Sequence, residues 1–296
     1  MKYIINKKQE GQEIKVFLKA NNISMSLMKQ LKKMPNGILV NGLHQNVLYI
    51  LKENDILELN ISDNKENENE HLVPVDLPID IIFENDDLTV VSKPYNMPTH
   101  ESLNNRGNTL ANALAYRYRS KPYVFRATNR LDKDTSGVVI TANNRYFSAL
   151  LSKKIKEGLI EKVYIAVVDG MLNGTGKIEA PIDRIGESII KREVRKDGEY
   201  ALTEYNTLIS NELYSVVLVT PRTGRTHQIR VHMAHIGHPI AGDTLYGGGI
   251  DGITRQALHC LKMNIDGIGS FYAPLADDMK EFIRRQFGND EFIPKD

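Results

Sequence analysis

Two stretches of the chain concentrate side chains able to do chemistry. "TNRLDKDTSGVVITA" (residues 128–142) places Asn129, Arg130, Asp132 and Asp134 in a loop that runs through Gly137 into an apolar strand. A carboxylate carried on a loop fixed by a rigid scaffold is a frequent carrier of nucleophilic chemistry. Asp132 and Asp134 are also suited to a plainer task, stabilising the Thr-Ser-Gly turn as Asx residues. "TPRTGRTHQIRVHMAHIGHPIAGDTLYG" (residues 220–247) holds Arg222, Arg225, His227, Arg230, His232, His235, His238 and Asp243. Its histidine spacing raises a zinc site, but there is no HExxH, no cysteine pair and no carboxylate at helical spacing. Three arginines among almost no acids instead offer guanidinium forks to phosphates and sugars.

Two further positions accompany them. Tyr164 stands in the alternating run "EKVYIAVVDG", where a tyrosine either packs half-buried or offers a stacking platform with a polar tip. In "VVSKPYNMPTHES" a strand breaks at Lys93-Pro94 into an irregular loop through His100, which reads as a pocket rim.

The elements that must position these residues follow from periodicity. Residues 1–61 read as one small module. "EIKVFLKANN" and "SMSLMKQLKKM" have apolar residues at helical spacing, with Ser24 or Ser26 as the cap of the second helix, and "ILVNG" and "DILELNI" are short strands. Lys29, Lys32 and Lys33 project from the second helix, as a solvated face or a phosphate-contacting one. Residues 62–78 alternate Asn with Glu and end in prolines, the composition of an acidic, flexible linker. Residues 79–296 are strand-rich: "IDIIFEND", "LTVVSKP", "GVVITA", "KVYIAVVDG" and "YSVVLVTP" are strands, and "TLANALAYRY" and "YFSALLSKKIKEG" are helices. Strands and helices do not alternate regularly, so the expected class is α+β: a mixed, mainly antiparallel sheet with flanking helices.

Composition narrows the partners. The net charge of +1 divides into +4 over residues 1–60, −8 over residues 63–87 and +5 over residues 88–296, so attraction of the two flanking parts to a polyanion is permitted. No apolar run reaches membrane-spanning length and the N-terminus has no signal-like core, so a membrane partner is not expected. A single cysteine, Cys260, in the apolar run "ALHCLKMNI", suits a buried structural thiol and a cytoplasmic setting.

Taken in order, "VVSKPYNMPTH", "NRLDKDTSGVVITA", "KVYIAVVDG", "TGRTHQIRVHMAHIGHPIAGDTLYG" and "LHCLKMNI…YAPL" resemble the RNA pseudouridine synthases that act on ribosomal and transfer RNA. The branch is the one with an N-terminal S4-like domain, to which "EGQEIKVFLKANNISMSLMKQL…GILVNG" is similar. Two departures stand out: Asn129 replaces a histidine common in the family motif, and Ser26-Leu27-Met28 replaces an arginine-rich helix start. The resemblance implies isomerisation of uridine to pseudouridine with Asp132 as nucleophile, and no cofactor or metal. Arg230 would pair with Asp132, Tyr164 would stack on the uracil and relay a proton, and Arg130 would fill the gap left by the extruded base. Asn129, Arg225, His227 and Lys93 are assigned to substrate contact. Large-subunit ribosomal RNA is the expected partner, transfer RNA the alternative, and a monomer the expected state. Two rivals stay open: a non-catalytic RNA-binding or ribosome-assembly factor, and a glycosylase that releases the base.

Overall fold

The computed structural model describes residues 1–61, 72–102, 105–186 and 190–294. Residues 1–61 build a body with its own apolar core. Helix α1 (Ile14–Ala20) buries Ile14, Phe17 and Leu18, the i, i+3, i+4 set of its apolar stripe. Helix α2 (Met25–Leu31) starts at Ser24, whose hydroxyl accepts the Leu27 amide at 3.1 Å. Both rest on an antiparallel sheet in the order β1 (Lys2–Ile4), β4 (Ile56–Leu59), β2 (Ile38–Val40), β3 (Leu43–His44). Strand β1 escapes periodicity because three residues are too few to show alternation.

The expected linker, 62–78, divides. Residues 62–71 lie outside the described residues. Residues 72–78 are tied down: the Val75 amide donates to the Asn112 carbonyl, and the Asn112 side chain donates to the Val73 carbonyl at 2.8 Å. Leu72 and Leu77 pack on the larger core. Leucines spaced among the acids make that attachment, which composition alone does not reveal.

The larger body is α+β. Its sheet runs β5 (Asp80–Glu84), β6 (Leu88–Lys93), β7 (Ser136–Ala142), β14 (Leu258–Ile265), β8 (Ile160–Asp169), β13 (Tyr214–Pro221), β12 (Leu202–Ser210), β9 (Thr175–Glu179), with β15 (Gly269–Tyr272) also on β14. Every pairing is antiparallel except β7 with β14. All seven residues of β7 are buried, which is why "GVVITA" is apolar without alternation. At its start Gly137 takes φ +112°, and an added Cβ would come within 2.2 Å of the Cys260 carbonyl oxygen. The parallel pairing therefore demands glycine there. A β-ribbon of β10 (Ile182–Arg184) and β11 (Arg192–Val194) lies beside α5 (Gln228–His235).

Helices α3 (Leu110–Arg117), α4 (Arg145–Lys156) and α6 (Asp277–Phe287) flank this sheet. Helix α4 also meets the N-terminal body. Its Tyr146 packs on that body's core, Lys153 donates to the Asn22 side chain at 2.6 Å and Arg145 to Gln30 at 3.1 Å.

Candidate active site

The loop 129–135 that carries Asp132 is held from several sides by backbone-directed bonds. Asn129 sits against β7 like an extra peptide, its amide nitrogen donating to the Val138 carbonyl and its oxygen accepting the Ile140 amide. Thr99 brackets Leu131, exchanging bonds with both its carbonyl and its amide. Lys93 is fully buried and donates to the carbonyls of Pro94, Met97 and Lys133 at 2.8, 2.7 and 3.2 Å. Burial pushes its pKa down to about 7, against the pull of Asp132 and Asp134. Arg255 holds the Asp134 carbonyl at 2.9 Å and is itself gripped by Asp278. Gripped this way, a loop can present one carboxylate with the definition usually reserved for a strand.

That carboxylate is Asp132. It faces a cleft of about 790 Å³ lined also by His100, Arg130, Lys162, Tyr164, His227 and Arg230. Its Oδ2 accepts Arg230 Nη1 at 2.9 Å, across 98 positions of sequence. Asp134 is not among the residues lining this cleft. Arg230 has its other edge committed: Nε and Nη2 donate to the two oxygens of Asp243 at 2.6 and 2.8 Å. The Asp243 side chain is only 1% exposed, so the pair is buried, two-pronged and fixed in plane. The Tyr246 ring lies beneath the guanidinium, 5.0 Å from centroid to Cζ.

His227 completes this wall. It opens α5 with a left-handed φ of 57°, and its Nδ1 meets the Tyr246 hydroxyl at 2.8 Å. Nε2 then lies 3.6 Å from the Asp132 carboxylate. Burial lowers its pKa further than Asp132 raises it, which favours the neutral ring. Gln228 locks the preceding turn by accepting from the Thr223 hydroxyl and the Arg225 amide.

Tyr164 comes from β8, 8% exposed, with its phenol against Cys260. Burial there, with Cys260 and Asp132 adding to it, raises its pKa well above 10, so the hydroxyl keeps its proton. Burial also pushes the Cys260 thiol up to about 12, which leaves it inert. Two residues earlier on the same strand, Lys162 is half-buried in the cleft with its pKa lowered by burial. Among the described residues no hydrogen bond or ion pair ties down Lys162, and the same holds for the exposed Arg130.

Of the residues read as substrate contacts, Arg130 and His227 have side chains positioned to meet one. Lys93 does not line this cleft, because its ammonium is spent on three carbonyls; it supports the Asp132 loop. Asn129 lines the cleft, with its amide occupied by β7. Arg225 is turned to the rim, donating to Glu199 and to the Tyr200 carbonyl. Two further histidines of this segment are structural: His232 bridges Thr203 and the Ala180 carbonyl, and His238 meets the Asp169 carbonyl. Tyr246 and Lys162 were not singled out from sequence, and Asp243 was noted in its segment without a role. The Arg-x₁₂-Asp spacing of Arg230 and Asp243 belongs to no period of a helix or strand, and only the returning loop brings them together. Lys162 could have been found, since it shares the strand face of Tyr164.

Residues 87–235 match the family described as RNA pseudouridylate synthase. The chain is 37% identical over 272 residues to the uncharacterized RNA pseudouridine synthase YjbO of Bacillus subtilis, covering 88% of this chain and 95% of that protein. Ribosomal large subunit pseudouridine synthase D of Borreliella burgdorferi is 38% identical, over 75% of this chain and 72% of that one. The structure of human RNA pseudouridylate synthase domain containing 1 superposes with a TM-score of 0.56 at 27% identity, covering 67% of this chain and 83% of that one.

Proposed function

We propose, starting from the fact that this chain belongs to the RNA pseudouridylate synthase family and is an RNA pseudouridine synthase, that Asp132 is its nucleophile and that large-subunit ribosomal RNA is its substrate. One observation carries the assignment: the Asp132 carboxylate lies in a cleft on a guanidinium whose orientation Asp243 sets. In the isomerisation the N1–C1′ bond of uridine breaks, a C5–C1′ bond forms, C5 loses a proton and N1 gains one. Asp132 engages the nucleoside and stabilises or captures the electron-poor centre left when the glycosidic bond opens. Arg230 keeps the carboxylate aimed, and its attraction offsets the desolvation of a closed cleft. Tyr164 stacks on the uracil and relays the C5 proton, its oxygen accepting that proton as its own hydroxyl proton passes to solvent, while N1 takes one from solvent. The target nucleotide leaves its stack to enter, at a cost of a few kcal/mol, and Arg130 occupies the space it vacates.

The substrate class is supported by the printed names of relatives, among them ribosomal large subunit pseudouridine synthase D of Escherichia coli at 34% identity. Residues 1–61 act in this reading as an S4-like RNA-binding domain, and the enzyme works as a monomer. The test is Asp132→Ala, with pseudouridine mapped across total RNA from cells carrying either form. Loss of specific large-subunit sites, with the variant still folded, is expected. Retention of every site would falsify the nucleophile, and loss confined to transfer RNA would move the substrate.

A further inference from the structure

We propose that the exposed face of α4 is a track for the RNA strand flanking the target uridine, leading from the cleft to a groove between α4 and α2. This rests on the function proposed above. Helix α4 joins the two cavities physically: Ile155 in its last turn lines the cleft, while Arg145 and Ser148 at its start line a groove of about 370 Å³. At 100° per residue, positions 145, 149, 152 and 156 share one side of the helix, opposite its buried Phe147 and Leu151, with Arg145 and Ala149 lining the groove and Ile155 at the edge nearest the cleft. The path from Arg145 to Ile155 is about 15 Å, at 1.5 Å per residue.

Charge identifies the occupant. Residues 145–156 carry Arg145, Lys153, Lys154 and Lys156 without one acid, Lys153 and Lys154 lying 3.8 and 3.9 Å from Glu157 and Asp266 beyond the helix, while Lys29, Lys32 and Lys33 of α2 stand outside the groove. The groove adds Arg126 and the polar side chains of Ser24 and Gln30. In a chain of net charge +1, a helix side that carries Arg145 and Lys156 and no acid, with Arg126 beside it, fits a phosphodiester backbone. A protein partner would find little apolar area here; among the described residues the large exposed apolar side chains of α4 and α2 are Ile155 and Met25 alone. The unpartnered Lys162 stands where the track meets the cleft, ready to take the first phosphate beyond the target.

The experiment uses full-length protein with an iron–EDTA hydroxyl-radical source on one surface cysteine, since Cys260 is buried and stays unlabelled. Ser152→Cys places the source on the track, Thr226→Cys at the cleft, and Glu212→Cys at the far end of β13. Each is mixed with total RNA from cells lacking this gene, and strand breaks are mapped. Expected are breaks from the track probe on the strand adjoining those from the cleft probe, in the same RNA, and none from the far probe. Breaks from the cleft probe alone overturn the track and leave the proposed function standing. No specific breaks from either probe overturn both. On the RNA so identified, Ser152→Glu is expected to raise KM about tenfold with kcat unchanged; an unchanged KM counts against the track.

Discussion

The two kinds of cation in the cleft behave oppositely. Arg230 is 8% exposed, bonded on both edges and backed by an aromatic ring, so its orientation is set by the protein and its visible task is the hold on Asp132. Arg130 and Lys162 face the same space with no bond to any described residue. The first is a fixture whose geometry is settled before RNA arrives. The others are complementary charges whose partners come with the substrate. Preorganisation and capture are thus divided between different residues.

The division can be broken from either side. Asp243→Ala leaves a buried guanidinium with half its donors unpaired, so we expect a stability loss of about 3–5 kcal/mol in urea titration and a fall in kcat beyond it. Lys93→Met strips donors from three buried carbonyls and costs about 1–3 kcal/mol. Its pH dependence has a definite sign. The folded pKa of about 7 lies below the 10.5 of an unfolded lysine, so the unfolded chain binds more protons between those values. Wild-type stability relative to Lys93→Met should therefore rise from pH 7 towards pH 10, and a fall over that window would contradict the burial. Lys162→Met should leave stability and kcat nearly unchanged, weaken RNA binding several-fold and reduce the slope of log K against log salt by about 1. Arg225→Ala, which breaks an exposed pair with Glu199, should change stability by less than about 1 kcal/mol.

Legibility in the sequence followed the same divide. Asp132, Tyr164 and Arg230 could be picked out because each sits in a local pattern: a turn before a strand, an alternating run, a basic helix. Apolar strands such as β7 and β8 could be read for the same reason. Lys93 and Asn129 were read as substrate contacts and in the structure bond backbone groups, a difference the sequence hides because a polar side chain looks identical there whether it meets RNA or a buried carbonyl. Asp243 and Tyr246 reach the site through a loop after α5, a relation no periodicity encodes. Helix α6 went unread since its apolar residues, Met279, Phe282 and Ile283, are diluted among charges.

The parallel contact of β7 with β14 has a consequence in time. His259 and Cys260 pair with Ser136 and Gly137, a separation of more than 120 positions, so the middle of the larger sheet cannot close until the ribosome has released the chain past residue 260. Until then the apolar margin of β7 waits unpaired, a template for strands of other molecules. Folding of the larger body should accordingly be slow and largely post-translational, and truncations before β14 should aggregate rather than give a smaller working enzyme.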